Sequence, residues 1–151
     1  MIIIGYDGSL DARAAIKQAG MLMPGYPALV LTVWGPPAPE RLSEPEIRSA
    51  AQTRAEDLAA EGARLGHQLG IDCRPGTRRH RTTVADAIVA EARRVDAHAI
   101  IVGRGGLTES SPLGSVSRAV VREARCAVLV AAGAAHRAGS PGGTIGLGAA
   151  A

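Results

Sequence analysis

Short apolar runs alternate with longer stretches of helical periodicity along this chain. Continuous apolar runs of four to eight residues are typical of strands that are covered on both faces. The predicted strands are Met1 to Tyr6, Ala28 to Trp34, Ile71 to Arg74, His98 to Gly103 and Cys126 to Ala131. Because helical stretches separate these runs, we expect an α/β domain with a parallel sheet and helices on both of its faces.

Four helices are predicted between the strands. The first has Ser9 as a candidate N-cap and Pro24-Gly25 as a stop signal. The third opens with Thr83-x-x-Asp86, a variant of the capping box. The predicted helices are Asp11 to Met23, Glu44 to Leu69, Thr83 to Val95 and Val116 to Ala124.

This alternation predicts an open, doubly wound sheet. If the first strand is central and the order is 3-2-1-4-5, the winding reverses between strands 1 and 4. Ligands of such sheets bind outside the carboxyl ends of the strands at that switch point. Glycine-containing turns follow both strands, at Gly5 to Ser9 and at Gly103 to Ser117. We therefore expect a binding site between these two turns.

The second turn reads GRGGLTESSPLGSVS and leads from a buried strand into a helix. Such a turn directs main-chain N–H groups and the positive end of the helix dipole at one spot, which suits a phosphate. A tight strand-to-helix turn, with Ser111 as a plain N-cap before Pro112, would explain the same residues. The candidate contacts in this turn are Gly103, Arg104, Gly106, Gly114, Ser115, Val116 and Ser117. For Arg104, a solvated loop position is the alternative.

Asp7 follows the first strand. Its carboxylate can accept a hydrogen bond from ribose or adenine, or hold a metal ion through water. It can equally bond the main chain of its own turn. Trp34 has two interpretations as well, stacking on a base or packing against the proline segment Gly35 to Pro39.

Composition limits the function further. The chain has 151 residues, 46% of them apolar, and a net charge of +3 with signs that alternate along the helices. We expect one domain over residues 1–132, a mobile Gly/Ala-rich tail over residues 133–151, and no nucleic-acid partner. We also expect a cytoplasmic protein without a membrane span, because no apolar run is long enough and no signal peptide precedes the first strand.

Other chemistry finds little support in the sequence. The only lysine, Lys17, is not in a P-loop, and no histidine has a placed nucleophile beside it. Cys73 and Cys126 fall on opposite edges of the expected sheet, which argues against a disulfide within one chain. The basic segment Thr77 to Thr82 is expected to be a loop, which either contacts an anion or a partner or is simply solvated.

Three motifs stand out along the chain: Asp7-Gly8-Ser9 after the first strand, IIVGRGG, and LGSVSRAVVREARCAVLVA. In these motifs the chain resembles the universal stress protein family. The resemblance implies a five-stranded parallel sheet of order 3-2-1-4-5, homodimers formed through the last strand and, in one branch, an ATP site with the loop GxxGx9G[ST]. It also implies that Val33 lies at the adenine pocket. Here Gly103 and Gly106 satisfy GxxG, but only seven residues separate Gly106 from Gly114-Ser115.

We expect a stress-response protein that binds ATP or AMP, with or without Mg²⁺, at Asp7, Val33 and the second turn. Catalysis beyond slow ATP hydrolysis is not expected, because the sequence offers no candidate base. The alternative is a nucleotide-free homodimerisation module of the same fold. A small hydrolase is the third hypothesis, and it would require turnover that depends on Asp7.

Overall fold

The structure, a computed structural model, describes residues 1–35, 44–105 and 113–133. Strands and helices alternate through these residues. Their bounds are β1 (Ile2–Gly5), α1 (Leu10–Leu22), β2 (Ala28–Trp34), α2 (Glu44–Gln68), β3 (Cys73–Arg79), α3 (Val84–Arg94), β4 (Ala99–Gly103), α4 (Ser115–Glu123) and β5 (Ala127–Ala131). The predicted elements are all present, and their bounds agree closely except for β3.

The strands form one parallel sheet of order β3-β2-β1-β4-β5. This confirms the predicted doubly wound fold with the first strand at its centre. β3 and β5 are the edges of the sheet. Cys73 begins one edge strand and Cys126 immediately precedes the other, and both thiols are free.

Two core layers cover the sheet. Ile2 and Ile4 of β1 pack into the layer formed with α1 and α2, whereas Ile3 packs into the layer formed with α3 and α4. All three side chains are fully buried, and each such burial contributes about 2 kcal/mol. The central strand is thus fixed from both faces, which holds its carboxyl end rigidly in place.

The helices next to the switch point begin at the predicted caps. The Ser9 hydroxyl accepts a hydrogen bond from the main-chain N–H of Ala12 at 3.1 Å, so Ser9 is the N-cap of α1. Thr83 and Asp86 form a capping box at the start of α3. These caps satisfy N–H groups of the first helical turn and set where each helix begins.

The predicted bounds of β3 are wrong at both ends. The strand was expected at Ile71 to Arg74 but occupies Cys73–Arg79, so half of the basic segment Thr77 to Thr82 belongs to the sheet and is not a loop. Main-chain pairing to β2 continues over all seven residues, from Cys73 opposite Ala28 to Arg79 opposite Trp34. As an edge strand, β3 needs no apolar run, and it tolerates Pro75, which has no N–H to donate.

The connector at Pro36 to Pro39 and the tail after Gly133 lie outside the described residues. In the part of the chain that is described, no helix is long and apolar enough to cross a membrane.

Candidate functional site at the carboxyl ends of β1 and β4

The described parts of the two turns singled out by the sequence, residues 5–9 and residues 103–105 with 113–117, meet in the structure. β1 and β4 are hydrogen-bonded neighbours, with Ile2, Ile3 and Ile4 opposite Ala99, Ile100 and Ile101. A cleft of about 200 Å³ opens where these strands end. It is lined by Gly5, Tyr6, Asp7, Ser9, Ala12, Leu31, Val33, Val84, Ile88, Val102, Gly103, Gly105, Gly114, Ser115, Val116 and Ser117.

One side of the cleft is apolar. Its wall comes from the carboxyl halves of β2 and β4, from the first two turns of α3 and from the first turn of α4. The residues are Leu31, Val33, Val84, Ile88, Val102 and Val116. Leu31, Ile88 and Val102 are buried members of the core, whereas Val33 is half-buried. A flat apolar ring bound against this wall would be removed from water and would contact only apolar side chains.

The other side is polar and begins with Asp7. The exposed Asp7 carboxylate accepts a hydrogen bond through Oδ1 from the main-chain N–H of Ser9 at 3.0 Å. Gly8 between them has a φ of +82°, a conformation that other residues adopt only with strain. The turn therefore holds the Asp7 side chain at the rim of the cleft through one of its two oxygens.

Gly103 has a packing role at the end of β4. A Cβ at this position would lie 2.8 Å from the carbonyl carbon of Asp11 and 2.9 Å from the nitrogen of Ala12. The first turn of α1 thus lies directly against β4. Only glycine permits this approach, whether or not a ligand is present.

Main-chain contacts close the second turn. The Arg104 carbonyl accepts hydrogen bonds from the N–H of Gly114 at 2.9 Å and from the buried hydroxyl of Ser117 at 2.8 Å. A Cβ on Gly114 would overlap the carbonyl oxygen of Gly105. These contacts bring the start of α4 to the end of β4, and they use donors that the sequence assigned to a phosphate.

The start of α4 borders the polar side of the cleft. Gly114 is the N-cap and gives the first turn no side-chain hydrogen bond. Ser115, the first residue of the helix, is exposed and lines the cleft together with Val116 and Ser117. The positive end of the helix dipole therefore faces the cleft without a capping side chain, an arrangement that favours a bound anion.

Asp11 is the residue that sequence reasoning missed. Its side chain is buried, at 7% exposure, and its carboxylate accepts hydrogen bonds from the N–H of Gly105 at 3.0 Å and of Gly133 at 2.6 Å. It joins the segments that follow β4 and β5 to the first turn of α1. In the sequence, Asp11 is recognisable only as an acidic residue in the first turn of a helix, two positions after the N-cap Ser9. Its burial could not be recognised, because it depends on two segments that are distant in sequence.

Tyr6 supports the cleft from the α2 side. Its hydroxyl donates to Glu61 Oε1 at 2.7 Å, and Arg13 donates to the same oxygen at 2.6 Å. The Tyr6 carbonyl accepts a hydrogen bond from the buried hydroxyl of Thr32 at 2.9 Å. Burial, together with the hydrogen bond to Glu61, raises the pKa of Tyr6 from 10.0 to about 12. Tyr6 therefore ties the end of β1 to both β2 and α2.

The basic segment Thr77 to Thr82, which begins within β3, does not line the cleft. Arg78 forms two hydrogen bonds with the Glu91 carboxylate on α3, and the Arg79 guanidinium lies 5.8 Å from the centre of the Trp34 ring. Trp34 thus contacts Arg79 and is not among the residues that line the cleft. Within the described residues, the Arg78 and Arg79 side chains tie edge strand β3 to its neighbours, through Glu91 and Trp34 respectively.

Most of the predicted site residues lie at the cleft. Those that line it are Asp7, Val33, Gly103, Gly114, Ser115, Val116 and Ser117. Arg104 contributes its main-chain carbonyl to the turn, and Gly106 lies outside the described residues. Sequence reasoning placed Ser9 and Gly105 in the two turns without naming either as a site residue, and it missed Asp11 and most of the apolar wall.

The fold and this cleft define a doubly wound α/β protein with an open cleft at its switch point. The sequence profile of the universal stress protein family matches residues 1–132. The chain belongs to the universal stress protein family. A search of curated proteins gave no match.

Solved structures support the fold. A universal stress protein in complex with cAMP has a TM-score of 0.66 and 24% identity over 85% of this chain and 94% of the other. One from Archaeoglobus fulgidus in complex with dAMP has a TM-score of 0.62 and 22% identity over 86% and 95%. A family protein from Arabidopsis thaliana with AMP bound has a TM-score of 0.67 and 18% identity over 94% and 95%.

Proposed function

We propose that this chain binds an adenine nucleotide, AMP or ATP, in the cleft between β1 and β4, and that binding is regulatory and not catalytic. The observation that carries the proposal is the division of the cleft into an apolar wall and a polar rim that includes Asp7 and the uncapped start of α4. A nucleotide base needs an apolar wall, and a phosphate needs a polar rim. The proteins of similar fold crystallised with cAMP, dAMP and AMP support this choice of ligand.

The residues present fit such a ligand. Val33 and Val102 would contact the base, Asp7 would accept a hydrogen bond from a ribose hydroxyl, and the first-turn N–H groups of α4 would face a phosphate. A magnesium ion would come with the phosphates, since the described residues hold no cluster of three His, Cys, Asp or Glu side chains that suits a metal.

We infer the regulatory role of nucleotide binding from the proposed position of the ligand. A nucleotide that contacts both β1 and the start of α4 stabilises the arrangement of these two elements and shifts the chain toward it. α4 leads directly into edge strand β5. Ligand state would therefore affect whatever binds that edge.

Titration calorimetry with adenosine, AMP and ATP, with and without magnesium, tests the proposal. GMP is the control for the base. We expect saturable binding of at least one adenine ligand and a raised melting temperature, with GMP weaker. Mass spectrometry of the denatured, purified protein adds a check for a nucleotide that co-purifies. No heat, no melting shift and no co-purified nucleotide would contradict the proposal.

A second function, homodimerisation through β5, is favoured by the edges of the sheet. On β5, Ala127 is exposed and Val128, Leu129 and Val130 are only half-buried. The opposite edge, β3, has exposed Arg74, Pro75 and Arg79, which discourage pairing. Sedimentation over a range of concentrations tests this function, and a monomer at every concentration would contradict it.

A further inference from the structure

The Asp11 carboxylate lies directly behind the polar end of the cleft. Two residues that line the cleft contact Asp11. Gly105 donates its N–H to Asp11 Oδ2 at 3.0 Å, and Gly103 is packed against the main chain where Asp11 joins Ala12. Asp11 is buried, so little water lies around its carboxylate. Its negative charge therefore acts more strongly on a charged ligand in the cleft.

Several N–H groups that would suit a chain of phosphates already have acceptors within the protein. The N–H of Gly105 donates to Asp11, that of Gly114 to the Arg104 carbonyl, and that of Ser9 to Asp7. Among the described residues, the first turn of α4 is the part of the polar rim without a side-chain cap. One helix start suits one phosphate group.

We propose that Asp11 is a specificity-determining residue that makes the cleft selective for adenine ligands with a single phosphate group, such as a nucleoside monophosphate or its cyclic form. The inference rests on the proposed function, because it concerns the same cleft. A monophosphate places its charge at the start of α4. Each further phosphate adds negative charge near the buried Asp11 carboxylate. Among the described residues, it also meets N–H groups of Ser9, Gly105 and Gly114 that already have acceptors.

The first experiment uses the unaltered protein. Dissociation constants for adenosine, AMP, ADP and ATP are measured by calorimetry, in EDTA and again in magnesium. We expect AMP to bind most tightly and ATP about tenfold more weakly in EDTA, because the repulsion grows with charge. Equal or tighter binding of ATP would overturn the inference and leave the proposed function standing. Absence of binding by all four ligands would overturn both.

The second experiment tests Asp11 itself. Asp11→Asn keeps the size of the side chain and removes its charge, and Asp72→Asn makes the same change at an exposed position at the amino end of β3. We expect Asp11→Asn to bring the ratio of the ATP and AMP dissociation constants close to one, while Asp72→Asn leaves it unchanged.

An unchanged ratio in folded Asp11→Asn, or the same change in both variants, would overturn the role of Asp11. An asparagine keeps only one of the two oxygens that accept hydrogen bonds from the N–H groups of Gly105 and Gly133. The folding of the variant must therefore be checked by circular dichroism. If it does not fold, the nucleotide series on the unaltered protein still decides the inference.

Discussion

The Arg78 guanidinium donates two hydrogen bonds to the Glu91 carboxylate, at 2.7 and 2.8 Å, and so ties edge strand β3 to helix α3. Arg94 donates two more to the same carboxylate, at 2.9 and 2.7 Å. Glu91 is almost fully buried, at 3% exposure, while both arginines keep contact with water. A buried charge satisfied by four hydrogen bonds holds the edge where a strand with few apolar residues would otherwise fray.

Glu91→Gln should lower the free energy of unfolding by about 2 kcal/mol, because two arginines lose a charged acceptor at a buried position. Urea unfolding measures the loss. Glu56→Gln is the matched control, since Glu56 is exposed on α2 and contacts Gln52. The control should change stability by less than about 0.5 kcal/mol. Equal effects of the two changes would contradict a special role for Glu91.

The same site predicts an acid-dependent loss of stability. Hydrogen bonds from Arg94, and then from Arg78, hold the pKa of Glu91 below its usual 4.5 against the effect of burial. The unfolded chain therefore takes up the proton first as the pH falls. The stabilisation is present above pH 4.5 and is lost as the pH falls through the folded-state pKa.

The stability difference between the wild type and Glu91→Gln should therefore shrink in acid. The lowered pKa of Asp86, which accepts a hydrogen bond from Thr82, contributes equally in both proteins. Urea unfolding from neutral pH into the acid range measures the difference. A constant difference would show that Glu91 contributes by packing and not by charge.

The sequence predicted the central strands far better than edge strand β3. β1 and β4 are apolar throughout because helices cover both of their faces, so the hydrophobic pattern alone identifies them. β3 has polar residues and a proline, and main-chain pairing with β2 and the contact of Arg78 with Glu91 hold it. Main-chain pairing does not depend on the side chains, so it produces no hydrophobic pattern in the sequence.

The candidate site divides in the same way. Asp7, Gly103 and Gly114 were predictable because each lies at or close beside the end of a recognisable strand or helix. Asp11 was not, because its partners Gly105 and Gly133 lie 94 and 122 residues away in sequence. A buried carboxylate that accepts main-chain N–H groups depends on how three segments converge, and convergence is a property of the folded chain.

Tyr6 should titrate far above an ordinary tyrosine. Tyr26→Phe leaves Tyr6 as the single tyrosine, since the chain has two. Its tyrosinate absorbance should appear near pH 12, because burial and the Glu61 carboxylate disfavour the charged form. The raised pKa means that the stabilisation is complete below pH 10.0 and is lost as the pH rises to about 12. Half-titration near pH 10.0 in the folded variant would contradict the contact with Glu61.

Gly103→Ala should destabilise the fold by about 2 kcal/mol or more, because the added Cβ meets main-chain atoms of Asp11 and Ala12 that cannot rotate away. Gly70→Ala is the comparison. Gly70 has a φ of +76° and no atom within 4 Å of an added Cβ, so that change costs only the backbone strain of about 1 kcal/mol. Thermal unfolding measures both. A smaller loss in Gly103→Ala than in Gly70→Ala would show that α1 does not need its close approach to β4.

Ser115→Glu should separate phosphate binding from stability. Ser115 is exposed as the first residue of α4, where a negative charge stabilises the helix by about 0.5 kcal/mol. The same charge lies at the rim of the cleft and should weaken AMP binding by about tenfold or more, with adenosine binding unchanged. Ser115→Gln controls for size, and calorimetry with melting curves measures both effects. Equal AMP affinity in Ser115→Glu and Ser115→Gln would place the phosphate elsewhere, because a charge at this helix start cannot be neutral toward an anion bound there.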